Sequence, residues 1–471
     1  MLEINLMLKT GDAPLYEQIY SHLTEQIVSG KLPLGSKMPG RRSLASALGV
    51  SVSTVDAAYQ MMAAEGYLES RPRSGYYVQD SAGLFSGIAE ESEALDASAP
   101  TETPVAWKYD LSTSSVDVSL FPFRTWGRIQ KELLYGNPEL LQPGDRQGEP
   151  ALRRVLAEYL AAYRGVHCRP EQIVIGAGTE YLTALLPQLT GGHVAAVENP
   201  GYRRTRLILE NNGMPCRMIG VDQNGLSVTE LEQTDADFCY VTPSHQFPTG
   251  VTMPVSRRAE LLRWAAGAPN RYILEDDYDS EFRFDMRPLP SLQGMAGPDG
   301  SVIYLTTFSK SLAPGIRIAC MVLPLRLLAR YRALYGGYSG TVGRFEQHTL
   351  CRFIEEGHFA RHLARLRKAY RSRMELLCEE MRIAFAPREI KLQGQHTGLH
   401  LLLTLPGGPG ANRMAALAKT VGANPQSLGE YYHAQAELCP PDTVVLGYAN
   451  LEPAQMKNLA NDLKSVWCKA E

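Results

Sequence analysis

The sequence predicts a protein of two parts. A small, mostly helical N-terminal unit ends in a β-wing, and a larger α/β domain closes in a smaller α+β subdomain. Three observations predict it. Residues 1–79 hold three short amphipathic runs and a hairpin signal. The stretch from Gln79 to Trp107 is acidic, rich in Ala, Ser, Thr and Pro, and contains no Lys or Arg. From about Tyr109 onward, apolar strand-like runs alternate with helical ones, the rhythm of a parallel α/β sheet. At 471 residues the chain exceeds one ordinary domain, and 44% apolar with 21% charged residues is a globular balance. The expected boundaries are 1–79, a flexible acidic linker over 80–108, and 109–471 with the small subdomain from roughly 370.

In the first unit, "PLYEQIYSHLTEQIVSGKL" spaces Leu15, Ile19, Leu23 and Ile27 four apart, one face of a helix stopped at Gly30. "RRSLASALGV" predicts a second helix closed by Gly49. Ser51 is placed to cap a third, with Val52, Val55, Tyr59 and Met62 on its inner face and Gly66 at its end. Tyr67–Ser70 and Tyr76–Val78 are β-prone pieces around a turn containing Pro72 and Gly75. This order is that of a winged helix-turn-helix, whose third helix enters the DNA major groove while the wing touches backbone or minor groove. Arg41 and Arg42 at the second helix and Arg71 and Arg73 at the wing are the candidates for phosphate contact. Ser51, Ser53 and Thr54 open the third helix, where short hydroxyls reach phosphates or base edges.

Bulk charge does not drive this assignment. The unit's seven Lys and Arg are matched by seven Asp and Glu, and the whole chain carries a formal charge of -3. DNA binding therefore rests on a local surface. No apolar run approaches the roughly 20 residues of a membrane helix, and no basic region followed by an apolar core marks a signal peptide. Eight scattered cysteines without a C-x-x-C pair argue against a disulfide framework or zinc site and fit a reducing, cytoplasmic setting.

In the larger domain, "TFSKSLAPGIRIAC" follows the strand-like run "SVIYLT" and sets Lys310 between two serines, with Arg317 among apolar neighbours seven residues on. Charged groups in such surroundings require a partner. "ILEDDYDSEF" offers Asp276 and Tyr278, "IGAGTEYLTAL" a small loop at a helix start with Gly178 and Thr179, and "ENPGYRRTR" the ring of Tyr202. Together these meet the needs of pyridoxal 5'-phosphate: a partly desolvated lysine, an acid for the pyridine nitrogen, a donor to the ring oxygen, a stacking ring and a phosphate cup. Arg317, with Thr307 and Ser309, completes the cup.

The N-terminal stretch resembles the DNA-binding domain of the GntR family, most specifically in "AAYQMMAAEGYL" and the wing "RSGYYV". It departs at Val52, where many members have arginine. The remainder resembles fold-type I aminotransferases. That resemblance implies Lys310 as the Schiff-base lysine, Asp276 as partner of the pyridine nitrogen, Tyr278 as ring-oxygen donor and Tyr202 as stacking ring. Gly178, Thr179, Thr307, Ser309 and Arg317 form the implied phosphate cup.

The fusion, with "TPSHQFPTG" and "EDDYDSEFRF", resembles the MocR/GabR transcriptional regulators. It implies a head-to-tail homodimer, operator DNA as partner, and switching by cofactor and effector rather than turnover. Two positions differ from related patterns: Phe247 replaces an amide donor before Pro248, and Pro143 in "PGDRQG" replaces a tyrosine. Glu430 stands where the γ-aminobutyrate sensor has an arginine. Arg204 and Glu430 are thus the candidate effector contacts, for an amine, an amino acid or pyridoxal phosphate itself. A genuine aminotransferase with an appended DNA-binding domain is the alternative.

Overall fold

The computed structural model describes residues 13–79, 106–285 and 289–468. The chain divides into two compact units, Met1–Val105 and Ala106–Glu471. Nearly all of the expected 80–108 linker lies outside the described residues; only Ala106, Trp107 and Lys108 fall within them.

The first unit contains α1 (Leu15–Val28), α2 (Arg41–Leu48), α3 (Val52–Ala64), β1 (Leu68–Arg71) and β2 (Gly75–Val78). Ile19, Leu23 and Ile27 of α1 pack against Val55, Ala58, Tyr59 and Met62 of α3, and all seven are buried. Gly49 ends α2 in the left-handed conformation (φ 66°), which costs glycine no Cβ clash. Ser51 caps α3, its hydroxyl accepting from the Thr54 N–H at 3.1 Å. Val52 does not join the core, being 45% exposed. As the first residue after the cap it precedes the buried stripe, which starts at Val55. The wing pairs antiparallel from Leu68 opposite Val78 to Arg71 opposite Gly75.

The second unit is built on an eight-stranded sheet. Its strands are β3 (Ile173–Gly176), β4 (Ala195–Asn199), β5 (Cys216–Asp222), β6 (Gly225–Leu226), β7 (Phe238–Val241), β8 (Tyr272–Asp277), β9 (Val302–Thr307) and β10 (Ala319–Val322). They lie in the order β3-β10-β9-β8-β7-β4-β5-β6. The sheet is mixed rather than parallel throughout: β10 runs antiparallel to both β3 and β9, and the short β6 antiparallel to β5. Strand direction leaves no mark on a strand buried on both faces, which is apolar either way. Two helices matter to the cleft, α4 (Thr179–Ala184) after β3 and α5 (Arg203–Asn211) after β4.

The smaller subdomain carries a four-stranded antiparallel sheet, β11 (Lys391–Gln393), β12 (His400–Thr404), β13 (Gln426–Ser427) and β14 (Thr443–Gly447), ordered β11-β12-β14-β13. The long helix α6 (His358–Phe385) and the C-terminal α7 (Pro453–Trp467) cover it. Leu377, Met381, Leu459, Leu463 and Trp467 bury against Leu401, Leu403, Val444 and Leu446.

Candidate functional site

The carboxyl ends of the central strands open onto a cleft lined by apolar and convergent polar side chains, the make-up of a small-molecule site. β8 is buried along its whole length, so Glu275, Asp276 and Asp277 are all withdrawn from water. Strand alternation separates them. Asp277 turns to the Arg164 guanidinium (2.5 Å) and the Tyr304 hydroxyl (2.5 Å), and these hold its carboxyl below the usual range although burial opposes them. Asp276 turns into the cleft, where its Oδ2 accepts from the Tyr240 hydroxyl at 2.9 Å. Its Oδ1 is buried with no hydrogen-bond partner. Burial pushes the Asp276 pKa up to about 7.

Across the cleft, Gly178 adopts φ 94° between β3 and α4, a conformation that favours glycine. A Cβ there would collide with the Arg317 guanidinium. Arg317 itself sits in the left-handed region (φ 54°), unusual for a residue with a side chain. Its Nη2 donates to Glu180 Oε2 at 2.5 Å, and Arg204 Nη1 donates to Glu180 Oε1 at 3.2 Å. One carboxylate thus holds two guanidiniums at the rim, and the Arg317 hydrogen bond is the leading cause that lowers the Glu180 pKa. Thr307 and Ser309 complete this side with hydroxyls 2.9 Å apart.

Lys310 is half-buried, and its amine donates to the Thr113 carbonyl. Burial lowers its pKa to about 8, so a sizeable neutral, nucleophilic fraction exists near neutrality. Tyr202 lines the cleft with its ring edge-on to Phe247 at 5.6 Å. Phe247 also meets Tyr431 at 5.0 Å and His400 at 5.2 Å, an aromatic wall where an amide donor was missing from the sequence. The Tyr278 hydroxyl lies 3.0 Å from the His245 carbonyl and 3.0 Å from His245 Nδ1.

The structure therefore brings Thr179, Tyr202, Arg204, Asp276, Tyr278, Thr307, Ser309, Lys310 and Arg317 to one cleft, with Gly178 beneath Arg317. Glu430 is the exception. It is exposed, absent from the cleft lining, and accepts from the Ser427 N–H at 3.2 Å as the acid of a capping box. Residues the sequence reading passed over are Glu180, Tyr240, Thr242, Thr113 and Ser114, all lining the cleft. Tyr240 on β7 and Thr242 just past its end stand two residues apart and so share a face, a signal that was present, although the pattern does not say which face meets the cleft.

On the first unit, Arg42 and Arg73 are exposed, while Arg41 pairs with Asp56 and Arg71 with Glu69 at 2.8 Å. Arg71 also lies over the Tyr77 ring, 4.4 Å from its centroid. The Ser51 hydroxyl is 2.7 Å from both the Ser53 and Thr54 hydroxyls at the start of α3.

Fold and cleft together define the class: a winged helix-turn-helix joined in one chain to an aminotransferase-type α/β domain. Comparison with known proteins agrees. "Bacterial regulatory proteins, gntR family" matches residues 15–78, and "Aminotransferase class I and II" matches 111–463. The uncharacterized HTH-type transcriptional regulator YdeL of Bacillus subtilis is 37% identical, over 98% of each chain. The HTH-type pyridoxine biosynthesis transcriptional regulator PdxR of Corynebacterium glutamicum is 33% identical over 76% of this chain and 78% of its own. A multiple substrate aminotransferase of Thermococcus profundus superposes with a TM-score of 0.69 at 22% identity, covering 82% of this chain and 98% of that one, a likeness of fold. The chain belongs to the MocR-type family of DNA-binding transcriptional regulators, which couple a gntR-family unit to an aminotransferase class I and II domain. Among the described residues no helix is long and apolar enough to cross a membrane.

The cofactor of this fold is pyridoxal 5'-phosphate. The cleft fits it. The unpartnered Asp276 Oδ1 matches a pyridine nitrogen, the Gly178–Arg317 corner matches a phosphate, and Lys310 matches the aldehyde.

Proposed function

We propose that this regulator holds pyridoxal 5'-phosphate in the cleft on Lys310 and reads an amine, an amino acid or the cofactor itself there to set DNA binding. Lys310 and Asp276 lining one cleft, both with pKa values drawn toward neutrality by burial, carry this reading. When bound, the cofactor supplies an aldehyde open to primary amines. Asp276 holds a proton at the ring nitrogen, and Tyr278 re-aims its hydroxyl to the ring oxygen. Tyr202 covers the ring, and Gly178, Thr179, Thr307, Ser309 and Arg317 take the phosphate.

Arg204, at the rim, is the contact for an anionic group of the effector, with Glu180 holding its guanidinium in place. Phe247, buried in the cleft wall, offers no amide donor to the cofactor ring. The likeness to PdxR favours the cofactor as effector as a second reading. Arg41, Arg42, Arg71 and Arg73 contact phosphates, Ser51, Ser53 and Thr54 line the groove-facing helix start, and the chain acts as a head-to-tail homodimer.

The test is absorption of purified protein with added pyridoxal phosphate, wild type beside Lys310→Ala. A visible band that disappears in the variant supports the reading, and equal bands in both would defeat it. Incubation with amino donors and a 2-oxo acid separates sensing from turnover: sustained product formation identifies an aminotransferase. Sedimentation of the full chain tests the dimer.

A further inference from the structure

Behind Tyr278, the loop 244–250 that follows β7 meets the segment 394–400 that leads into β12 of the small subdomain. His245, Asp279 and His400 are buried there, at 1%, 2% and 3% exposure. His245 Nδ1 lies 2.8 Å from Asp279 Oδ2, and the His245 ring packs on His400 with centroids 4.6 Å apart. His400 Nε2 donates to the Pro248 carbonyl at 3.0 Å, and burial above all keeps His400 neutral.

The backbones leave no slack. A Cβ on Gly398 (φ 75°) would overlap the His245 ring and the Asp279 carboxylate, and one on Gly250 (φ 77°) would come within 2.8 Å of Gly394 Cα. The Gly398 N–H donates to the Phe282 carbonyl at 2.8 Å, and the Phe284 N–H to the His396 carbonyl at 3.0 Å.

Hydrogen-bond chemistry fixes the tautomer. Asp279 accepts, so His245 Nδ1 carries the hydrogen, and the Tyr278 hydroxyl hydrogen goes to the His245 carbonyl. His245 Nε2 is then a bare lone pair, buried without a partner. The other tautomer would turn a lone pair on the Asp279 carboxylate and bury an unpaired N–H at Nε2, which costs more.

We propose that His245, oriented by Asp279, is a positioning residue that ties Tyr278 on the cleft wall to the small subdomain. A ligand atom that takes the Tyr278 hydrogen takes it from the buried His245 carbonyl. The loop 244–250 relieves that loss by moving, and the movement passes to 394–400 because Gly250 meets Gly394 backbone to backbone and the buried His245 ring lies directly against Gly398. This inference rests on the reading of the cleft as the sensing site.

Hydrogen–deuterium exchange of the full chain, with and without pyridoxal 5'-phosphate, tests it in wild type, His245→Asn and Asp279→Asn. His245→Asn keeps a donor toward Asp279 but loses the ring against His400. In wild type, exchange slows in peptides over 302–312 and changes in peptides over 394–404. In both variants the first response persists and the second shrinks by at least about fivefold, the lower end of typical couplings. Variants that respond like wild type would overturn the proposal. So would a wild type in which 302–312 responds and 394–404 does not, a result that needs no variant to fold. If neither segment responds in wild type, the sensing reading falls and takes this inference with it.

Discussion

In the N-terminal unit Arg42 and Arg73 stand in solvent and the hydroxyls of Ser51, Ser53 and Thr54 cluster at an open helix start. In the large unit three consecutive acids, Glu275, Asp276 and Asp277, are buried on one strand. The first arrangement suits a partner that is itself a dense array of charge, where each contact is weak and exchangeable. The second suits a ligand met one atom at a time, where burial makes each charge costly until its counterpart arrives. The difference teaches where affinity comes from. On the proposed DNA face it would be a sum over many exposed groups, and in the cleft the pairing of a few buried ones.

Substitutions in the cleft carry the largest expected effects. Lys310→Ala removes the amine and with it the whole visible absorption band of the protein with pyridoxal phosphate, leaving the melting temperature within a few degrees of wild type. Asp276→Asn weakens cofactor binding by about 2 kcal/mol, roughly the worth of a hydrogen bond to a charged group, read by fluorescence or calorimetric titration.

That same substitution acts oppositely on the cofactor-free protein. The folded pKa of Asp276, about 7, lies above its unfolded value, so ionising it opposes folding above pH 7, and the penalty fades as pH falls through 7 toward 4. Asp276→Asn is therefore expected to raise the melting temperature at pH 8, to raise it less at pH 5, and to leave it nearly unchanged only below about pH 4. A lower melting temperature at pH 8 would contradict the account. For Lys310, depressed to about 8, cofactor capture should speed up as pH rises through 8 and level off beyond it, followed by stopped-flow absorption.

On the DNA face the effects are smaller and shared. Arg42→Ala and Arg73→Ala should each lower the salt slope of binding by about 1 with little change in sequence preference. The smallest effect belongs to Val52→Ala. With an exposed side chain it should shift stability by less than about 0.5 kcal/mol, while altering which sequences a random DNA pool yields.

Much of this was legible in the sequence, for physical reasons. The four-residue spacing of Ile19, Leu23 and Ile27 and the serine and glycine caps mark α1 to α3, because helix ends need partners for their free N–H and C=O groups. Lys310, Asp276, Tyr202 and Arg317 stood out as polar groups at the ends of apolar strands, where a cleft forms. Other features needed the fold. The reversed direction of β10 has no local signature. Glu180 reads as an ordinary first-turn acid until Arg204 and Arg317 arrive on either side of it. Glu430 shows the opposite case: Ser427-x-x-Glu430 is a capping pattern visible in the sequence, and the local cap is the role the structure gives it.

The proposed function has the cleft govern DNA binding. It is tested most directly by the affinity of the full chain for DNA selected from a random pool, with and without pyridoxal phosphate, in wild type and Lys310→Ala. In wild type the affinity is expected to change by about fivefold or more on adding the cofactor, and in Lys310→Ala it is expected to stay the same. An equal response in both proteins, or none in wild type, would contradict it.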